Sequence, residues 1–137
     1  MLTVGLEREA TTVVTPADSA TLVSALVPDV YASARMIAFV ERTCAELLAE
    51  HLAPDETSVG VGFQLSHDAA TPIGMAVRVR VRLAEIDRRR CVFEVEGHDA
   101  VDRITTGRHE RFVVARAEFL ARVRQKAADV ATPGQGG

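Results

Sequence analysis

Valine and arginine alternate through "MAVRVRVRL" (Met75 to Leu83), and no other stretch limits the possible folds so tightly. In an extended chain successive side chains point to opposite faces. Val77, Val79 and Val81 therefore share one face, and Arg78, Arg80 and Arg82 share the other. Strands of parallel sheets are covered on both sides and have no place for such a row of arginines. The pattern demands an antiparallel sheet with one wet face and one buried face. Something apolar must cover the valines.

One helix can do so. From Ser33 to His51 the residues Met36, Ile37, Val40, Cys44, Leu47, Leu48 and His51 recur at three- and four-residue spacing, with Arg35, Arg42, Glu46 and Glu50 opposite. Ser33 is the expected N-cap, and Pro54 with Asp55 ends the helix. Strands are expected at Val4–Val14, Ser58–His67, Met75–Ile86, Cys91–His98 and Arg103–Arg116. The short links "ATPIG", "DRRR" and "DAVD" predict hairpins between the successive later strands. Thr15–Pro28 reads as a connector with at most a short helical turn, and "RAEFLARVRQKAA" as a short closing helix. The sum is an α+β hotdog fold, an antiparallel five-stranded sheet wrapped around one long central helix. Residues 1–130 are expected to form a single domain, and Ala131–Gly137 ("ATPGQGG") a frayed tail.

A chain of 137 residues can bury enough surface to need no staples. Cys44 and Cys91 lie far apart inside apolar patterns, without a CxxC pair. A net charge of −3 argues against a dedicated nucleic-acid binder. The start "MLTVGLEREATTVV" lacks the apolar run of a signal peptide, and no stretch approaches the ~20 apolar residues of a membrane span. The expectation is a cytoplasmic protein without a membrane partner.

Candidate site residues stand out against this pattern. In "VGVGFQLSH" the alternation Val59, Val61, Phe63, Leu65 puts His67 in the next inward position. Glu41 has Ile37, Ala38, Cys44 and Ala45 as helical neighbours, so a carboxylate lies on or beside the apolar stripe. Each has an ordinary explanation. His67 fits a hydrogen-bonded core histidine, Glu41 a boundary residue reaching water, and Ser33 a helix cap. Together, a carboxylate and an imidazole facing one apolar cleft are the parts of general acid/base chemistry. Gly60 and Gly62, on the outer side of the same strand, suggest a bulge or a close approach of backbone to ligand. His51, His98 and His109 have no metal-ligand spacing and are read as non-ligands. The outward arginines, with Arg88 to Arg90, are read as a solvated face, and holding a ligand's phosphates is the lesser alternative. GxSxG, P-loop and GxGxxG motifs are absent.

Three blocks, "VYASARMIAFVERTCAELL", "SVGVGFQLSHDAATPIGMAVRV" and "GHDAVDRITTGRHERFVV", together with "ARVRQKA", resemble the fluoroacetyl-CoA thioesterase family of hotdog proteins. The resemblance covers most of the chain after residue 27. It implies a catalytic set of hydroxyl, helix glutamate and histidine at Ser33, Glu41 and His67, and substrate contacts at Gly60 and Arg111. It implies a homodimer with the acyl-CoA cleft at the two-fold interface, and neither a metal nor a cofactor beyond the CoA of the substrate. Two departures matter. The family's hydroxyl is threonine or serine, and its fluoroacetate-specific enzyme has threonine where this chain has Ser33 and a phenylalanine-rich gate where this chain has "LVPDVYA", with Val27 at the gate position. The expected function is hydrolysis of a short or small-acyl CoA thioester without strict fluoroacetyl selectivity. Glu41 would serve as nucleophile or as base for water. The alternatives are a non-catalytic acyl-CoA-binding hotdog module and, among enzymes, a hotdog hydratase or dehydratase, whose usual Asp and His are not seen.

Overall fold

The valine face is covered as the alternation requires. The computed structural model describes residues 2–131. In chain order these form β1 (Glu7–Val13), α1 (Ser33–Ala49), β2 (Glu56–Leu65), β3 (Ala76–Asp87), β4 (Arg90–His98), β5 (Arg103–Ala115) and α2 (Arg116–Ala131). Val77, Val79, Val81 and Leu83 are fully buried, and Met36, Val40, Cys44, Leu47 and Leu48 of α1 share the core with them. The helix contacts β1, β2, β3 and β5, so the sheet curls around it in the hotdog arrangement. Arg8 ties β1 to α1 through Glu46 and Glu50. Outside, Arg78 pairs with Glu9 at 3.1 Å and Arg82 faces Glu94 at 3.7 Å. Acids partner these two arginines, as a solvated ion-pair face requires.

Both cysteines are core residues. Burial pushes the Cys44 thiol up to about 12 and raises that of Cys91 as well, so neither is a ready nucleophile. Among the described residues no helix is long and apolar enough to cross a membrane.

The hairpin expected between β2 and β3 does not form. The strand order is β1-β3-β4-β5-β2, so β2 pairs with β5 while β3 sits between β1 and β4. The linker after β2 must therefore pass β5 and β4 to reach β3, which a tight turn cannot do. It is held on the way. Asp68 N–H donates to the Ile104 carbonyl (2.7 Å), and Tyr31 N–H donates to Thr71 (2.9 Å). This second bond joins the linker to the segment just before α1.

Element ends also shift. The first strand spans Glu7–Val13 rather than Val4–Val14, and β2 spans Glu56–Leu65 rather than Ser58–His67. The connector holds two short 3-10 turns, Pro16–Asp18 and Ala20–Leu22, and α2 runs for 16 residues. Beyond Ala131, the expected tail lies outside the described residues.

Candidate functional site

The crossing linker determines where His67 sits. Its strand has already ended at Leu65, so His67 belongs to the linker that docks on the segment before α1. There its Nδ1 lies 2.6 Å from Ser33 Oγ. Ser33 is not the helix cap. Ala32 holds the N-cap position, without a side-chain hydrogen bond, and Ser33 is the first helical residue. The hydroxyl is thereby free to pair with the imidazole. His67 Nε2 is buried and finds no hydrogen-bond partner among the described residues. An orphaned buried polar atom is costly, and a bound polar group would satisfy it. The pair borders a cavity of about 480 Å³ whose walls include Val23, Val27, Val30 and Tyr31.

The inward alternation expected along β2 holds only in its second half. A bulge between Gly60 and Gly62 shifts the register. Ser58 pairs with buried Val113, and Gly60 with Arg111, on the helix side. Val59 pairs with half-exposed Phe112 and faces outward, contrary to expectation. Val61 occupies the bulge and is 55% exposed. Gly60, placed on the outer side by simple alternation, in fact faces α1. A Cβ there would lie 2.3 Å from Glu41 Oε2 and 3.2 Å from Arg111 Nη1. Only a glycine leaves the carboxylate its place. Gly60→Ala is therefore expected to displace Glu41 and lower turnover by roughly 100-fold, the scale of a misplaced reacting group. Steady-state kinetics beside a melting curve checks this, and an active, normally stable variant contradicts it.

Glu41 is indeed paired. Arg111 Nη1 donates to its Oε2 at 3.1 Å; the arginine side chain is 6% exposed and the glutamate 43%. Arg111 Nε also donates to Ser58 Oγ (2.9 Å), Nη2 to the Ser58 carbonyl (3.0 Å), and Nη1 to His109 Nε2 (3.1 Å). With four of five N–H groups so engaged, Arg111 is chiefly a fixed support for the carboxylate.

His109 had been given no role by the sequence. It is fully buried, stacked on Phe63 with ring centres 4.1 Å apart, and its Nδ1 lies 2.8 Å from the Gly62 carbonyl. Burial lowers its pKa from the ordinary histidine value; the Gly62 hydrogen bond opposes this shift and the Arg111 charge adds to it. Its parity with Arg111 and Val113 along β5 would have marked it as inward-facing.

The structure does not bring Glu41 and His67 of one chain together as the sequence suggested. Ser33 and Glu41 are eight residues apart on α1, which is about 12 Å along its axis at the usual rise. One chain carries two separate clusters, the Ser33–His67 pair and the Glu41–Arg111–Gly60 group. Among the described residues no cluster of three or more His, Cys, Asp or Glu residues could hold a metal ion.

Comparison with known proteins follows this geometry. Residues 14–117 match the family model described as fluoroacetyl-CoA-specific thioesterase. The fluoroacetyl-CoA thioesterase of Streptantibioticus cattleyicolor is 40% identical over 99 residues, covering 72% of this chain and 71% of that protein. A solved structure of a fluoroacetyl-CoA thioesterase superposes with a TM-score of 0.88 at 35% identity, covering 92% of this chain and 98% of the other. A threonine-to-serine variant of such an enzyme, in complex with acetyl-CoA, superposes with a TM-score of 0.86 at 35% identity, covering 91% and 98%.

Proposed function

From the premise that the chain belongs to the fluoroacetyl-CoA-specific thioesterase family, we propose that it hydrolyses short or small-acyl CoA thioesters to the free acid and CoA. The observation that carries this reading is the Ser33–His67 contact of 2.6 Å on the wall of an apolar cavity. A hydroxyl and an imidazole there can polarise the thioester carbonyl. They can also return a proton to the departing thiolate. Glu41, held by Arg111, supplies the carboxylate that attacks the carbonyl or takes the proton of an attacking water. The C–S bond then breaks and CoA leaves as its thiol; water either adds to the carbonyl directly or, where the carboxylate has attacked, hydrolyses the acyl–Glu41 anhydride, and the acyl group leaves as the acid. No metal or further cofactor enters this scheme.

The 12 Å or so between Ser33 and Glu41 along α1 exceeds what one thioester group can bridge, which supports a site shared between two copies. In that arrangement Ser33 and His67 act with Glu41 of the partner subunit. The two copies meet at the free edge of β2, where Val61 is 55% exposed and Phe63 43% exposed. We further expect a cytoplasmic homodimer.

The acyl group is expected to be held loosely. Val27 and its cavity neighbours include no phenylalanine, and Tyr31 is the one aromatic residue in the lining. Discrimination by one small substituent in such a pocket is worth about 1–3 kcal/mol. Acetyl-CoA and fluoroacetyl-CoA should therefore have kcat/KM values within roughly 200-fold of each other. The serine variant of the related enzyme in complex with acetyl-CoA supports the hydroxyl of Ser33 in this role. Thiol release from a panel of acyl-CoAs tests the whole reading. Tight binding without release would identify a non-catalytic acyl-CoA-binding module instead. A preference of several orders of magnitude for the fluorinated substrate would show that selectivity does not reside in the gate.

A further inference from the structure

His109 is bracketed by two partners that leave its protonation no freedom. The Gly62 carbonyl, 2.8 Å from Nδ1, can only accept, so Nδ1 carries the hydrogen. The Arg111 guanidinium, 3.1 Å from Nε2, can only donate, so Nε2 is bare. Both contacts serve the carboxylate cluster. Gly62 closes the bulge that turns Gly60 toward Glu41, and the same Nη1 that donates to His109 also donates to Glu41.

We propose that His109 is a positioning residue for the thioesterase reaction, a neutral imidazole that pins the β2 bulge with Nδ1–H and aims Arg111 at Glu41 with Nε2. The proposal rests on the reading of Glu41 as the acting carboxylate and goes beyond it, by explaining how that group is held. Phe63 covers one face of the ring, and the full burial of His109 keeps water from competing for Nε2. The charged groups facing the imidazole are Arg111 on its own strand, Glu41 on α1 and the neighbouring Glu110. A second proton would set an N–H against the N–H of Arg111. The burial that disfavours this proton also preserves the aim of the guanidinium.

Two substitutions separate positioning from packing. His109→Phe keeps a ring stacked on Phe63 but can neither donate to Gly62 nor accept from Arg111. His109→Gln loses the ring, while its amide oxygen can still accept from Arg111. The expected result for His109→Phe is a kcat lower by roughly 10- to 100-fold with KM within about threefold of wild type. His109→Gln should recover several-fold of that loss even though it melts at a lower temperature. A role in packing alone gives the reverse order, the better-packed phenylalanine variant being the more active, and that result overturns the proposal. Imidazole nitrogen spectroscopy of the wild-type protein gives a second reading that needs no variant. It should show a neutral Nδ1–H tautomer for His109, and an Nε2–H tautomer or a charged ring at neutral pH overturns the proposal. Measured in parallel, Glu41→Gln keeps the two ideas apart. If it is fully active, the reading of the site has failed. If it is inactive while His109→Phe is fully active, only the role of His109 has failed.

Discussion

Glu41→Gln will leave the fold intact and lower thioesterase turnover by at least ~100-fold, the scale of losing a group that moves a proton or attacks the carbonyl. The amide has the size and shape of the carboxylate, so the space beside Gly60 stays filled. It can still accept the Arg111 hydrogen bond, and Arg111 keeps its contacts to Ser58 and His109. What disappears is the negative charge and the basic lone pair. The glutamate side chain is 43% exposed, so solvent already screens much of the ion pair and its loss costs little stability. Melting temperature and kcat measured on one preparation check both halves of the expectation. An unfolded variant would make Glu41 a structural residue, and a fully active one would remove it from the chemistry.

Mixing two inactive proteins should restore activity. His67→Ala disrupts one cluster and Glu41→Gln the other. If each working site joins the two halves across a two-fold axis, a mixed dimer has one site with both lesions and one with neither. In a random co-expressed mixture half of the dimers are mixed, so activity should rise to about a quarter of the wild-type value per chain. Each parent alone should stay near the floor. The measurement is thiol release from the mixture and from tag-purified mixed dimers. No recovery in purified mixed dimers would mean that each chain completes its own site. The 12 Å or so along α1 would then have to be closed by movement within the chain.

The parts of this site were legible in the sequence to different depths. Ser33, Glu41 and His67 could be singled out because each breaks or flanks an apolar pattern. Gly60 was visible as an oddity but was placed on the wrong face, because a bulge inserts one residue and inverts the parity of everything before it. Val59 and Val61 were misread for the same reason. His109 has no metal-ligand spacing, and no other sequence signal beyond its inward parity along β5. Its work depends on a carbonyl of β2 and a guanidinium of β5, partners brought together by strand pairing.

Periodicity determined the elements themselves. The alternation of Val77, Val79 and Val81 with Arg78, Arg80 and Arg82 required a one-sided antiparallel sheet, and the apolar stripe of α1 required burial against it. These are local consequences of side-chain direction, and one sequence suffices to read them. Which strands pair is a different matter, because hydrogen bonding between strands is blind to side-chain identity and short linkers suggest hairpins by default. Only the tertiary structure decided that β2 leaves β3 for β5, since that choice rests on how the whole sheet closes over α1. The crossing linker carries His67 to Ser33, and the β2–β5 register carries Gly60 to Arg111 and Glu41. The candidate residues could be read one by one in the sequence, and their sorting into two separate clusters came from the folded sheet.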